Sequence, residues 1–189
     1  MIPAHTLLEA YSQGIFPMAD EDGEINWYEA NPRAILEVQG YRIPRDLRRV
    51  LNRRAFEIQV DRCFEAVIRA CAARRETWIS EEIIASYVNL HQLGYAHSVE
   101  AWQNGRLVGG LYGVALCGAF FGESMFFRIS NASKVALAYL AEHLKNRGYL
   151  LHDAQMMTST LRLFGAIEIS REEYLSRLQV ALRKKISFR

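Results

Sequence analysis

The chain predicts an α/β (α+β) fold in which helices cover a mixed sheet, and three observations carry that prediction. The apolar period alternates along the chain between that of a helix and that of a strand. Asn104-Gly105 stands between two strand candidates, a strong short-range hairpin signal. A long amphipathic segment, Ser130–Arg147, follows three consecutive strand patterns and is stopped by Gly148.

The first sixty residues read as a small α+β domain, 1–60. Thr6–Gln13 predicts a short helix stopped by Gly14, and IFPMADEDGEINWYEANPR has the composition of a loop or hairpin. Ala34–Val38 and Phe56–Val60 read as strands around a basic helix, Arg45–Asn52, with Pro44 at its start. Residues 61–189 form the second unit. Asp61 is expected to cap a helix through Cys63–Ala73, and Ser80 a helix over Glu81–Leu93 that Gly94 stops. Ala96–Gln103, Leu107–Val114 and Ala119–Phe127 predict a three-strand meander. Ser130–Arg147 is the long helix, and Tyr149–Ala154 a strand. Ser159–Leu163 is a short helix, Ala166–Ser170 a strand, and the tail a last helix. This order matches an acetyltransferase-like (GNAT-type) mixed sheet. An enzyme of coenzyme A needs a glycine-rich turn ahead of the long helix, so that main-chain N–H groups can cradle pyrophosphate. The turn here, Arg128–Lys134, has no glycine, which disfavours coenzyme A.

Half of the 189 residues are hydrophobic and 23 % are charged, the composition of a globular domain able to bury a core. No apolar run approaches the ~20 residues of a membrane span, and no secretory signal opens the chain, so a cytoplasmic protein is expected. Cys63, Cys71 and Cys117 form no metal-ligand spacing and read as free thiols; neither metal nor cofactor is expected. The net charge of +2 argues against indiscriminate coating of nucleic acid. Arg42, Arg45, Arg48, Arg49, Arg53 and Arg54, within thirteen residues, still offer a local phosphate-contacting face.

One carboxylate stands out. Glu123 lies among Phe120, Phe121, Met125, Phe126 and Phe127, where an unpaired charge costs several kcal/mol or more. It must either pair with a cation inside the fold or face a ligand pocket. Asp153 and Gln155 are two apart on a predicted strand, so both side chains are expected on one face, with Asp153 accepting from the Gln155 amide. Trp27, in the polar loop region, suits stacking on a base. Leu111, Phe120 and Met125 can line an apolar pocket on neighbouring strands, although plain core is the default for such residues.

The segments YSQGIFPM, TWI, HQLGYAHSVEAW, LVGGLYG, FFGESMFFR, NASKVAL, LHDAQ and FGAIEISR are collinear blocks spanning about Leu8 to Arg171. In order and spacing they resemble the leucyl/phenylalanyl-tRNA–protein transferases. The resemblance implies an enzyme without metal or coenzyme. Such an enzyme moves Leu or Phe from aminoacyl-tRNA to the N-terminal Arg or Lys of acceptor proteins and marks them for degradation. It further implies Asp153 and Gln155 as the catalytic acid–amide pair, Glu123 at the aminoacyl end, and Trp27, Trp78 and Phe120 near the terminal adenosine and aminoacyl group. Leu111 and Met125 match the apolar side-chain pocket. The expected partners are charged tRNA, bound through the Arg42–Arg54 cluster, and acceptor protein; the expected state is a monomer.

Departures from the family pattern gather near the N-terminus. Asn26-Trp27-Tyr28-Glu29-Ala30-Asn31-Pro32-Arg33 stands where a double tryptophan precedes Ser-Pro-x-Pro-Arg, and Arg42-Ile43-Pro44-Arg45-Asp46 where His-x-Ser-Arg-Ser is common. Phe127 replaces a polar residue after GESMF. The alternative functional reading is a non-catalytic RNA- or peptide-binding module on the same fold. A small-molecule N-acyltransferase is disfavoured by the turn without glycine.

Overall fold

The computed structural model describes residues 1–189. Its centre is a seven-stranded sheet in the order β4-β5-β6-β7-β8-β3-β9. The strands are β3 (Arg33–Leu36), β4 (Glu57–Val60), β5 (Ala96–Gln103), β6 (Arg106–Leu116), β7 (Ala119–Phe127), β8 (Leu151–Gln155) and β9 (Ile167–Ile169). Every pairing is antiparallel except β7 with β8. That parallel pair needs a crossover, supplied by α5 (Ala132–Arg147). A separate hairpin, β1 (Phe16–Ala19) with β2 (Ile25–Tyr28), fills the segment of loop-or-hairpin composition.

Helices cover both faces of the sheet. On one lie α3 (Phe64–Ala72) and α4 (Glu81–Gln92), with α1 (Ala4–Ser12) and α7 (Arg171–Leu182) packed alongside. On the other lie α5, α2 (Arg45–Asn52) and α6 (Ser159–Leu163). The two cores follow from strand alternation: Phe121 faces the first and Phe120 the second. Asn104 and Gly105 both have positive φ, at 51° and 72°, as a tight two-residue hairpin turn requires. Ser80 caps α4 by accepting from Ile83 N at 3.3 Å.

Two expectations are corrected. The sheet draws β3 and β4 from before residue 60 and the other strands from after it, so the main hydrogen-bonded layer crosses the expected boundary. Asp61 does not cap α3; Cys63 occupies that position without a side-chain bond. Asp61 instead turns into the left-handed region (φ 56°) and accepts from the Ser98 main-chain N–H at 2.9 Å and from Arg189 Nε at 2.9 Å. His97 Nδ1 lies 2.8 Å from the same carboxylate. No helix is long and apolar enough to cross a membrane.

Candidate active site

Glu123 owes its direction to a break in the sheet. On β6 and β7, Gly113 pairs with Gly122 and Tyr112 with Ser124, which leaves Glu123 as the extra residue of a β-bulge. A bulge breaks alternation and re-aims one side chain. Glu123 is thereby turned toward α1 and α4, whose tyrosines meet it. The Tyr11 hydroxyl donates to Oε1 at 2.7 Å and the Tyr87 hydroxyl lies 3.3 Å from Oε2. The two phenols also bond to each other. No Lys, Arg or His forms an ion pair with Glu123. Desolvation pushes its carboxyl up to about 7; the Tyr11 hydrogen bond opposes this shift, and the nearby Asp153 charge adds to it.

Asp153 has the opposite surroundings. It is fully buried and held by the guanidinium of Arg33, which is itself only 1 % exposed. Nε donates to Oδ1 at 2.9 Å and Nη2 to Oδ2 at 2.6 Å, a bidentate fork. The Tyr174 hydroxyl from α7 adds a bond to Oδ2 at 2.7 Å. Arg33 spends its remaining capacity on the Gly14 carbonyl at 2.9 Å, and its plane lies over the rings of Tyr174 and Phe16.

The expected bond from the Gln155 amide to Asp153 is not formed. Gln155 leaves the extended conformation (φ 59°), so the alternation argument fails at that residue. Its main-chain N–H donates to Asp153 Oδ1 at 2.8 Å, which steadies a backbone geometry uncommon outside glycine. The side chain swings away, and Nε2 donates to Glu123 Oε1 at 2.9 Å. The acid–amide pair is therefore Glu123 with Gln155, and Asp153 braces it from behind.

A cavity of about 790 Å³ opens between β6–β7, the end of β8 and the first turn of α5. Glu123, Gln155, Trp78, Leu111 and Met125 line it as expected, and Leu137 and Leu140 of α5 add apolar wall. Three expected residues lie elsewhere. Asp153 sits behind the wall. Phe120 points into the second core, edge-on to His152 and stacked on Phe188. Trp27 stands on the outer hairpin, 42 % exposed and away from the cavity lining.

His152 does line the cavity, but burial lowers its pKa to about 4, and its Nδ1 is bonded to the Tyr41 hydroxyl at 2.6 Å. It is a neutral wall residue at physiological pH. All six arginines of the 42–54 cluster are solvent-exposed on and around α2; one of them, Arg49, has a carboxylate nearby, Asp46 at 3.9 Å. The three cysteines are unpaired, and no group of three metal-ligating side chains converges.

Sequence reasoning missed Tyr11, Tyr87, Arg33 and Tyr174. Tyr11 and Tyr87 sit on apolar helix stripes with Leu7 and with Ile83 and Leu90. A tyrosine buried there must find a partner for its hydroxyl, and that was the available signal.

A family model described as leucyl/phenylalanyl-tRNA protein transferase matches residues 35–179, and one for the N-terminal domain of the same proteins matches residues 1–31. The leucyl/phenylalanyl-tRNA–protein transferase of Chlorobaculum tepidum is 53 % identical over 193 aligned residues and covers 100 % of both chains. That of Gloeobacter violaceus is 53 % identical over 184, covering 97 % of this chain and 95 % of its own. Among solved structures, L-PGS from Bacillus licheniformis matches 77 % of this chain and 47 % of its own, with a TM-score of 0.46 at 14 % identity. On the strength of the family models and the full-length relatives, this chain belongs to the leucyl/phenylalanyl-tRNA protein transferase family.

Proposed function

We propose that the protein transfers Leu or Phe from aminoacyl-tRNA to the N-terminal Arg or Lys of acceptor proteins, in the cytoplasm and as a monomer, so marking them for degradation. The catalytic unit is of the GNAT type; residues 61–189 carry Glu123 and Gln155, while 1–60 contribute Tyr11 and Arg33 behind them and the arginines toward the tRNA. Family membership supports the reaction class. The observation that carries the site is the placement of one carboxylate–amide pair without an ion-pair partner, Glu123 with Gln155, in the wall of a cavity beside the apolar Leu111, Met125, Leu137 and Leu140.

The reaction joins the acceptor's α-amino nitrogen to the ester carbonyl carbon. The bond from that carbon to the ribose oxygen breaks, and a proton from the amine ends on that oxygen. Before it can attack, the acceptor's ammonium must lose a proton. Glu123 suits that task because it forms no ion pair and burial pushes its carboxyl up to about 7. Gln155 Nε2 is occupied by Glu123, which leaves its carbonyl free to accept from the amine and orient it. Leu111, Met125, Leu137 and Leu140 supply a pocket without hydrogen-bonding groups for the Leu or Phe side chain. Asp153 acts through Arg33 and the Gln155 backbone; it positions and does not exchange protons.

The test incubates the protein with leucyl-tRNA and peptides beginning with Arg, Lys or Asp. Transfer to Arg and Lys peptides alone is expected. Transfer only to the Asp peptide keeps the enzyme and overturns the acceptor assignment, and clean tRNA binding without transfer leaves a binding module.

A further inference from the structure

The cavity continues past Glu123 to the turn before α5, and that end is chemically different. Arg74, Arg128 and Lys134 line it, and none is in an ion pair. Arg74 is anchored by bonds to the Ser124 hydroxyl and the Met125 carbonyl.

α5 begins here over 16 residues, and its N-cap Asn131 makes no side-chain capping bond. First-turn N–H groups have no intrahelical acceptor and carry the positive end of the helix dipole. Ser133 adds an independent observation. It is only 5 % exposed, it lines the cavity, and its hydroxyl makes no hydrogen bond within the protein. Gly109 permits the close approach of strand and helix, because a Cβ there would lie 2.5 Å from Ala132 Cβ.

We infer that Ser133, Lys134 and Arg128, with the first turn of α5, form a phosphate subsite for the RNA end. It takes the phosphodiester on the 5′ side of the terminal nucleotide whose ester lies at Glu123 and Gln155. This rests on the reading of the cavity as the aminoacyl-tRNA site. It divides the work of binding: the Arg42–Arg54 cluster meets the body of the RNA, and α5 registers its last phosphate so that the ester reaches the reacting pair. A serine hydroxyl, two long cations and the N–H groups of a helix's first turn suit the paired non-bridging oxygens of a phosphodiester.

The test measures binding of two non-hydrolysable analogues by full-length protein: adenosine carrying a 3′-linked leucyl amide, and the same compound with a 5′-phosphate. The wild type is expected to bind the phosphorylated analogue about ten- to hundred-fold more tightly, the scale of charge-assisted hydrogen bonds. Ser133→Ala and Lys134→Gln suit a helix and should fold; each should lose most of that gain and keep the affinity for the plain nucleoside. Lys134→Gln should also lower the salt dependence for the phosphorylated analogue alone. Inorganic phosphate should compete with the phosphorylated analogue and leave the plain one bound. Equal affinity of wild type for both compounds would overturn the subsite and leave the aminoacyl reading standing. A gain that survives both substitutions would overturn it too. Failure of both analogues to bind would remove the subsite together with that reading.

Discussion

Arg33 is a buried cation that ties together elements distant in sequence. It joins β3 to the end of α1 through Gly14, to β8 through Asp153 and to α7 through Tyr174. Removing one partner of a buried pair leaves the other charge uncompensated and costs about 3–5 kcal/mol. Lysine keeps the charge but not the fork. Arg33→Lys is therefore expected to lower both urea stability and turnover, with stability falling less than in Arg33→Met. Unchanged turnover in Arg33→Lys would mean that the fork does not position Gln155. The sequence marked Glu123 as unusual by its aromatic neighbours, but not its partners. Tyr11 is 112 residues away and Tyr87 is 36, and no local pattern announces a contact of that range.

At the level of elements, the bulge on β7 matters most. Gly113 faces it, and a Cβ at that position would lie 2.6 Å from the Phe120 ring and strike the Phe121 carbonyl. Overpacking of this kind costs about 1–3 kcal/mol. Gly113→Ala is expected to lose that much in chemical denaturation and to lower turnover through misdirected Glu123; a loss of stability with full turnover would separate the bulge from catalysis. The strands around it were legible because β6 and β7 are apolar runs joined by a glycine-containing turn and Asn104-Gly105 sets the turn before them. The bulge was not, since FFGESMFF reads as one uninterrupted strand. Only the pairing of Gly122 and Ser124 with consecutive residues of β6 reveals it. The same limit explains Gln155, whose positive φ is stabilised by a hydrogen bond to Asp153 rather than by residue type.

Across the whole molecule, the order of elements could be read from residue patterns, and the order of strands in the sheet could not. β3 and β4 looked like parts of an appendage because irregular segments surround them, yet they take places in the main sheet. β3 lies between β8 and β9, which brings Arg33 to Asp153, 120 residues away. The site therefore depends on both halves of the chain, and its protonation follows from that assembly. One carboxylate is clamped by the distant arginine; the other is left beside phenols and titrates at about 7. In the proposed mechanism ionised Glu123 is the active form, so its contribution grows as pH rises through about 7, before the acceptor amine loses its own proton near 8. The direct measurement is single-turnover transfer of leucine from leucyl-tRNA to an Arg-initiated peptide between pH 5.5 and pH 9, for wild type and Glu123→Gln. Wild type should show an inflection near pH 7 besides that of the amine. Glu123→Gln should be slower by about a hundred-fold or more, with the amine's inflection alone. A variant that keeps the wild-type rate and profile would contradict the assignment of the proton to Glu123.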